Sequence, residues 1–510
     1  MQVSKSSVTG TNRIVIKTLL AVAAGVLNAV SFAPFNWWPL GMLSFVMLFW
    51  IWHTSSSKGA TWYGFVYGLG MFGVGISWVY ISIHTFGGMS PIIAGLCIFV
   101  LVAILSIFPA LSGWLQSWFS AWHPTIRMAF LMPSLWILFE WLRGWIFTGL
   151  PWLSTGYAYL DTPLSNYAPI GGVYLVGLIV LVSVGALVAI IRQTTKGNLI
   201  LAVLFILVWA TGWQLNETAW TQAQGQPISV AVIQNNVALM EKWDEQEVNR
   251  IIFEYMKKSQ EYQDVDLIVW PEAAIPDYLD NIANGFWRDI EDHPADFIFG
   301  VLHRETVDDV TRYYNSVVAV TDHIMIYRKQ HLVPFGEYFP FPGLLGPLIE
   351  MLNIPMSNFS AWQQPQSPLI AAENRFAVSI CYEDAFPREW RDQVTSSGAL
   401  INVSEDSWFG DSLAPHQRLQ MARFRARESE RPMIRSSNNG LSSVINWKGG
   451  IDVDAPQFVQ HVVTATIQPR SGATPYVAFG ENPVLILIGS WLILGLLFGK
   501  SGRRNNGLYT

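Results

Sequence analysis

The chain has 510 residues, of which 51% are apolar and 13% charged, with a net charge of −6. The length allows two or three domains, and the mild negative charge argues against a nucleic-acid partner. Its two cysteines, Cys97 and Cys381, fall in regions of opposite character, so no disulfide is expected within either.

Residues 14–213 are nearly continuous apolar stretches. A bilayer core takes about 20 apolar residues as helix. The candidate spans are 14–32, 38–52, 60–83, 91–115, 128–147, 170–191 and 197–213, with an eighth at 483–499. The first has the look of a signal peptide, but the spans behind it favour a retained helix. Lys5, Arg13, Lys17, Lys58, Arg127, Arg192, Lys196, Lys500, Arg503 and Arg504 fall on one side, whereas 84–90 and 148–169 hold no Lys or Arg. That asymmetry predicts an inner-membrane protein with both termini cytoplasmic. The expected domains are 1–213, with seven transmembrane helices, then 214–481, exported, then 482–510, the eighth helix and a basic tail. Cys97 falls inside span four and is expected to be inert. Glu140 and Arg143 share a face near the end of span five, where pairing is the modest expectation.

From residue 228 the pattern changes to short β-rich runs between helix-like stretches. Strands are predicted at 228–235, 266–272, 296–305, 313–321, 323–329, 375–384, 399–406, 433–438, 442–447 and 461–467, and helices at 244–262 and 413–431. This alternation predicts an α/β domain with helices packed on sheets.

Three predicted strands end in reactive side chains: Glu272 after "LIVWP", Lys329 after "IMIYR" and Cys381 after "AVSI". Loops at strand ends carry catalytic groups in α/β folds. Each residue alone has a plainer reading, as a turn carboxylate, a surface lysine or a small buried hydrophobe. Together they are coherent chemistry. A carboxylate can take the thiol proton, and an ammonium can stabilise both thiolate and oxyanion. His331 and His416 remain alternative bases.

"WPE" (270–272), "YRKQHLVPFGEY" (327–338) and "ICYED" (380–384) resemble the three signatures of the nitrilase, or carbon-nitrogen hydrolase, superfamily. "HLVPFGEY" with flanking apolar spans is similar to the narrower apolipoprotein N-acyltransferase family. So are "FEWLRGWIFTGLPWLSTGY" (139–157), "LQMARFRARESERP" (419–432) and "SSNNG" (436–440). The resemblance implies an α-β-β-α sandwich joined to a bundle of eight membrane helices. It implies a ping-pong reaction in which a cysteine takes an acyl chain from a phospholipid as a thioester. The α-amine of a diacylglyceryl-cysteine lipoprotein then takes the chain. Carried over residue by residue, Cys381 is the nucleophile, Glu272 the general base and Lys329 the oxyanion-stabilising cation. Glu337, Tyr382, Glu383 and Trp243 match supporting positions, with the Tyr382 backbone N–H a second oxyanion donor. The chain departs from the pattern at Gln234-Asn235-Asn236 and at Glu405, where an asparagine is expected.

Residues 338–362 form a long apolar connection with four prolines, expected to be a lid that dips into the outer leaflet. Arg418, Arg423, Arg425, Arg427, Arg431 and Arg435, mixed with Glu428 and Glu430, read as a salt-bridged solvated face. Asn438-Asn439-Gly440 reads as a turn of positive φ. No metal or cofactor is implied, since the histidines lack ligand spacing and no glycine-rich phosphate loop follows a strand. A monomer is expected. Two other readings remain open: a membrane-anchored amidase or nitrilase, and a transporter with an exported regulatory domain.

Overall fold

A computed structural model describes residues 4–192, 196–339 and 358–498. They fall into two compact units. One holds the described residues of 1–80, 91–218 and 479–510, and the other holds 81–90 and the described residues of 219–478. Most of the expected lid, 340–357, lies outside the described residues.

The first unit is helical. Among the described residues of the chain, five helices are long and apolar enough to cross a membrane, or six if the bent pair Ser57–Gly75 and Val79–Phe86 is one span. The remaining two apolar segments form shorter helices, Trp38–His53 and Asn482–Phe498. At 1.5 Å per residue, 16 or 17 residues give roughly 25 Å, less than the hydrocarbon core of about 30 Å. All eight expected spans are therefore apolar helices, and among the described residues up to six have the length of a full span. Small residues set the helix packing. A Cβ on Gly25 would lie 2.1 Å from the Tyr67 carbonyl oxygen, and one on Gly70 would lie 2.3 Å from that of Val22. Glu140 and Arg143 are both buried. Glu140 Oε1 accepts from Trp136 Nε1 (2.8 Å) and from Thr155 N (3.0 Å) and Oγ1 (2.6 Å). Arg143 donates to the carbonyls of Leu150 (2.6 Å) and Trp152 (2.5 Å).

The second unit is built on strands β1 (Gln222–Ala223), β2 (Ile228–Gln234), β3 (Leu267–Val269), β4 (Ile275–Tyr278), β5 (Asp296–Val307), β6 (Val310–Val320), β7 (Ile324–Arg328), β8 (Leu369–Ala371), β9 (Asn374–Ile380), β10 (Ala399–Ser404), β11 (Met433–Ser437), β12 (Ser443–Ile445), β13 (Ile451–Asp454), β14 (His461–Ile467) and β15 (Arg470–Ser471). A seven-stranded sheet runs β14-β2-β3-β5-β6-β7, with β4 paired to β5. A six-stranded sheet runs β13-β12-β11-β10-β9-β8, and β1 pairs with β15.

Side-chain alternation assigns the layers. Val230, Val232, Leu267, Val269 and Val317 form one core with Phe376, Val378, Ile401 and Ile434, so the two sheets stack. The intervening residues Ala231, Ile233, Ile268 and Trp270 meet Ile251, Tyr255, Phe286 and Ile290 of helices Val248–Ser259 and Asn284–Glu291. Ala377, Leu400 and Met433 meet Val394, Leu419 and Ala422 of helices Pro387–Val394 and Leu413–Ser429. The result is an α-β-β-α sandwich. Strands buried on both faces read as apolar runs, which is why most were legible. The missed ones are short or atypical: β1 and β15 have two residues each, β4 carries a proline, β8 has three residues, and β13 (Ile-Asp-Val-Asp) is an exposed edge strand.

Two expectations are corrected. The arginine stripe is not solvated: Arg418, Arg425, Arg427, Arg431 and Arg435 are all buried. Carboxylates and backbone carbonyls pair with them, for example Arg431 Nε on the Ser397 carbonyl (2.8 Å) and Arg425 on Glu428 (3.0 Å). At 438–440 no residue takes positive φ. Gly440 instead answers to close approach, since a Cβ there would lie 2.1 Å from Asp406 Oδ2.

Candidate active site

Glu272 sits two residues beyond Trp270 in the loop between β3 and β4. Gly300 of β5 lets that loop seat, because a Cβ there would lie 2.7 Å from Glu272 Cα. Lys329 follows β7 directly, and its backbone N–H donates to the Asn315 carbonyl of β6 (2.9 Å). Cys381 follows β9 and opens a short helical turn, Cys381–Ala385. Its φ is +51°, a left-handed conformation costly for a residue with a Cβ and often found at functional turns.

Sheet order brings the first two strand ends together. Lys329 Nζ lies 2.8 Å from Glu337 Oε1 and 3.5 Å from Glu272 Oε1. Asn315 Nδ2 donates to both carboxylates, at 2.7 Å to Glu272 and 3.1 Å to Glu337. Glu272 Oε2 accepts from the Glu405 backbone N–H (2.7 Å), and Glu337 Oε2 from that of Val333 (2.8 Å). Burial pulls Lys329 down, but Glu337 and Glu272 outweigh it and hold the ammonium above the usual lysine range.

Burial pushes the Cys381 thiol up to about 12. Arg418 and Lys329 oppose that rise, while Glu272 and Asp406 add to it. The resting sulfur is therefore a thiol that needs a base. Glu383 ties the Cys381 turn to the strand that leads into Lys329. Its carboxylate accepts from the backbone N–H groups of Ile380 (2.7 Å), Gln330 (2.7 Å) and His331 (3.1 Å), and from Tyr327 OH (3.0 Å). Burial raises that carboxyl to about 7 against the pull of these donors and of Lys329. Tyr382 packs edge-on against Phe386, with ring centres 4.9 Å apart.

Trp243 lies at the end of the short helix Leu239–Lys242 and makes no hydrogen bond to Glu272, Lys329 or Cys381 among the described residues. Its neighbour Lys242 does reach the site. Buried Lys242 Nζ donates to the Glu272 carbonyl (2.7 Å) and forms a short ion pair with Glu405. The carboxylate that departs from the family pattern thus has a cation of its own. His331 pairs with Glu389 (2.7 Å) and stacks on Phe386, and His416 makes no hydrogen bond to Cys381 among the described residues. Sequence reasoning did not single out Asn315, Lys242, Ser404, Asp406 or Asn402 for the site. Asn315 and Asn402 carried a signal, as amides inside otherwise apolar strands.

A sequence profile described as "Apolipoprotein N-acyltransferase N-terminal domain" matches residues 24–187, and one described as "Carbon-nitrogen hydrolase" matches 229–476. Curated relatives named "Apolipoprotein N-acyltransferase" align almost end to end. That of Methylococcus capsulatus is 37% identical over 494 residues, 96% of each chain. That of Vibrio cholerae is 37% identical over 503 residues, 96% of this chain and 98% of its own. That of Pseudomonas aeruginosa is 39% identical over 493 residues, 94% and 95%. Identity at this level over nearly the whole of both chains leaves no region unaccounted for, and the chain belongs to the apolipoprotein N-acyltransferase family.

Proposed function

We propose that the protein moves a fatty acyl chain from a phospholipid to the α-amine of the N-terminal diacylglyceryl-cysteine of a lipoprotein, through a thioester on Cys381. Glu272 takes the thiol proton, and the sulfur attacks the ester carbonyl of the donor. The ester C–O bond breaks, Glu272 returns the proton to the leaving lysophospholipid oxygen, and the acyl group stays on sulfur. The acceptor amine then attacks the thioester and gives its proton to Glu272. The C–S bond breaks, and the sulfur regains the proton. Lys329 and the Tyr382 backbone N–H stabilise the oxyanion at each step. Glu337 holds Lys329, Glu383 fixes the turn, and Trp243 lines the loop beside Lys242. The protein acts as a monomer in the bacterial inner membrane, with the catalytic domain on the periplasmic side and both termini in the cytoplasm.

The observation that carries this reading is the Glu272–Lys329–Glu337 cluster, in which the buried Glu272 and Lys329 also act electrostatically on the thiol of Cys381. The test is intact-mass analysis after exposure to phospholipid. A hydroxylamine-labile acyl increment on Cys381 is expected, and labelled acyl chains should then move to a diacylated lipopeptide. Label released only as free fatty acid would instead mark a hydrolase.

A further inference from the structure

Beside the nucleophile, four fully buried charges close a ring. Arg418, on helix Leu413–Ser429, lies 2.9 Å from Asp384 and 2.8 Å from Asp406. Arg435, on β11, lies 3.0 Å from each of the same two carboxylates. Such a ring adds little net stability, because desolvating four charges offsets their attraction. Its charges cancel, so it has no need of a further partner. Arg418 nevertheless has one. Its Nη1 lies 3.4 Å from Cys381 Sγ and its Nη2 2.5 Å from the Cys381 carbonyl oxygen. Nη1 also donates to Ser404 Oγ, itself 3.7 Å from the sulfur. Arg435 makes no hydrogen bond to Cys381 among the described residues; it holds the two aspartates and the side-chain Oδ1 of Asn402 (2.8 Å).

We propose that Arg418 is a further catalytic residue and that the ring exists to hold it. Its guanidinium donates to the sulfur as the thiol proton passes to Glu272. It also donates to the Cys381 carbonyl, which keeps the nucleophile in its left-handed conformation. This rests on Cys381 being the nucleophile. Two cations then divide the labour. Lys329, held by Glu272 and Glu337, serves the oxyanion, and Arg418 stays with the sulfur. The other charges that act on the sulfur are Glu272, Lys329 and Asp406, and Glu383 and Asp384 lie on its own turn. Among the described residues, the hydrogen bonds to Sγ come from Arg418 and Ser404.

The test measures alkylation of Cys381 by iodoacetamide against pH, using the full chain in detergent. In Arg418→Gln the rate near pH 9 should fall about tenfold or more, with the profile displaced about one unit or more to higher pH. Arg418→Lys, which keeps the charge but loses the fork, should fall between the two. The double variant Arg418→Gln/Asp384→Asn removes one ion pair whole and keeps the ring neutral, and it should behave as Arg418→Gln does. A native profile in any of these variants that still melts cooperatively would overturn the role of Arg418. The nucleophile reading fails separately. Acyl transfer by Cys381→Ser would overturn that reading, whatever the alkylation profile.

Discussion

The two sheets of the catalytic unit bring charge to the site in unlike forms. The seven-stranded sheet supplies one lysine shared by two glutamates, with Asn315 donating to both carboxylates. The six-stranded sheet, with the helix Leu413–Ser429 packed on it, supplies a thiol next to a ring of two arginines and two aspartates whose charges cancel. The first group has a surplus carboxylate, so it can accept a proton and give it back. The second has its charges matched, so it can hold an atom in place but has no spare base. In the proposed mechanism, proton transfer belongs to the unbalanced group and positioning to the balanced one.

The comparison can be broken most severely at the sulfur. Cys381→Ser should abolish the acyl-enzyme and acyl transfer, since an alkoxide is far harder to form than a thiolate. An acyl increment retained in that variant would show the sulfur is not the attacking atom. Lys329→Ala tests the first group. Loss of an oxyanion donor costs roughly 10²–10³ in rate, and native turnover would remove that role from the lysine.

Where the two groups meet, Lys242 pairs with Glu405. Glu405→Gln leaves a buried ammonium without its partner, at a cost of about 3–5 kcal/mol in unfolding free energy. Lys242→Met/Glu405→Gln should recover much of that in a denaturant titration. Equal losses in both variants would show that the pair is not the cause. The pH response sharpens the picture further. With burial holding the Cys381 thiol at about 12, alkylation should climb about tenfold per pH unit through and beyond pH 9. A plateau near pH 9 would mean that the thiol titrates as a free one does. Smallest of all, Cys97→Ala should leave turnover and stability almost unchanged, and a large loss would give that residue a role it lacks here.

Hydrophobic pattern and local motif were enough to place eight apolar helices, the main strands and the three strand ends with Glu272, Lys329 and Cys381. Those features repeat over a few residues, so they are written locally in the chain. Span length was not settled that way, because Trp38–His53 is short for a bilayer's thickness. The arginines could not be placed either. Cys381 and Arg418 are 37 residues apart, Asp384 and Arg435 are 51, and Glu272 and the Glu405 amide are 133. A helix reading of 413–431 sees charge on every face and infers solvent. Only the strand order β11-β10-β9 puts carboxylates where those guanidinium groups point. The reason is physical: an isolated charge favours water, and it accepts burial only when distant parts of the chain deliver its counter-charges to the same place.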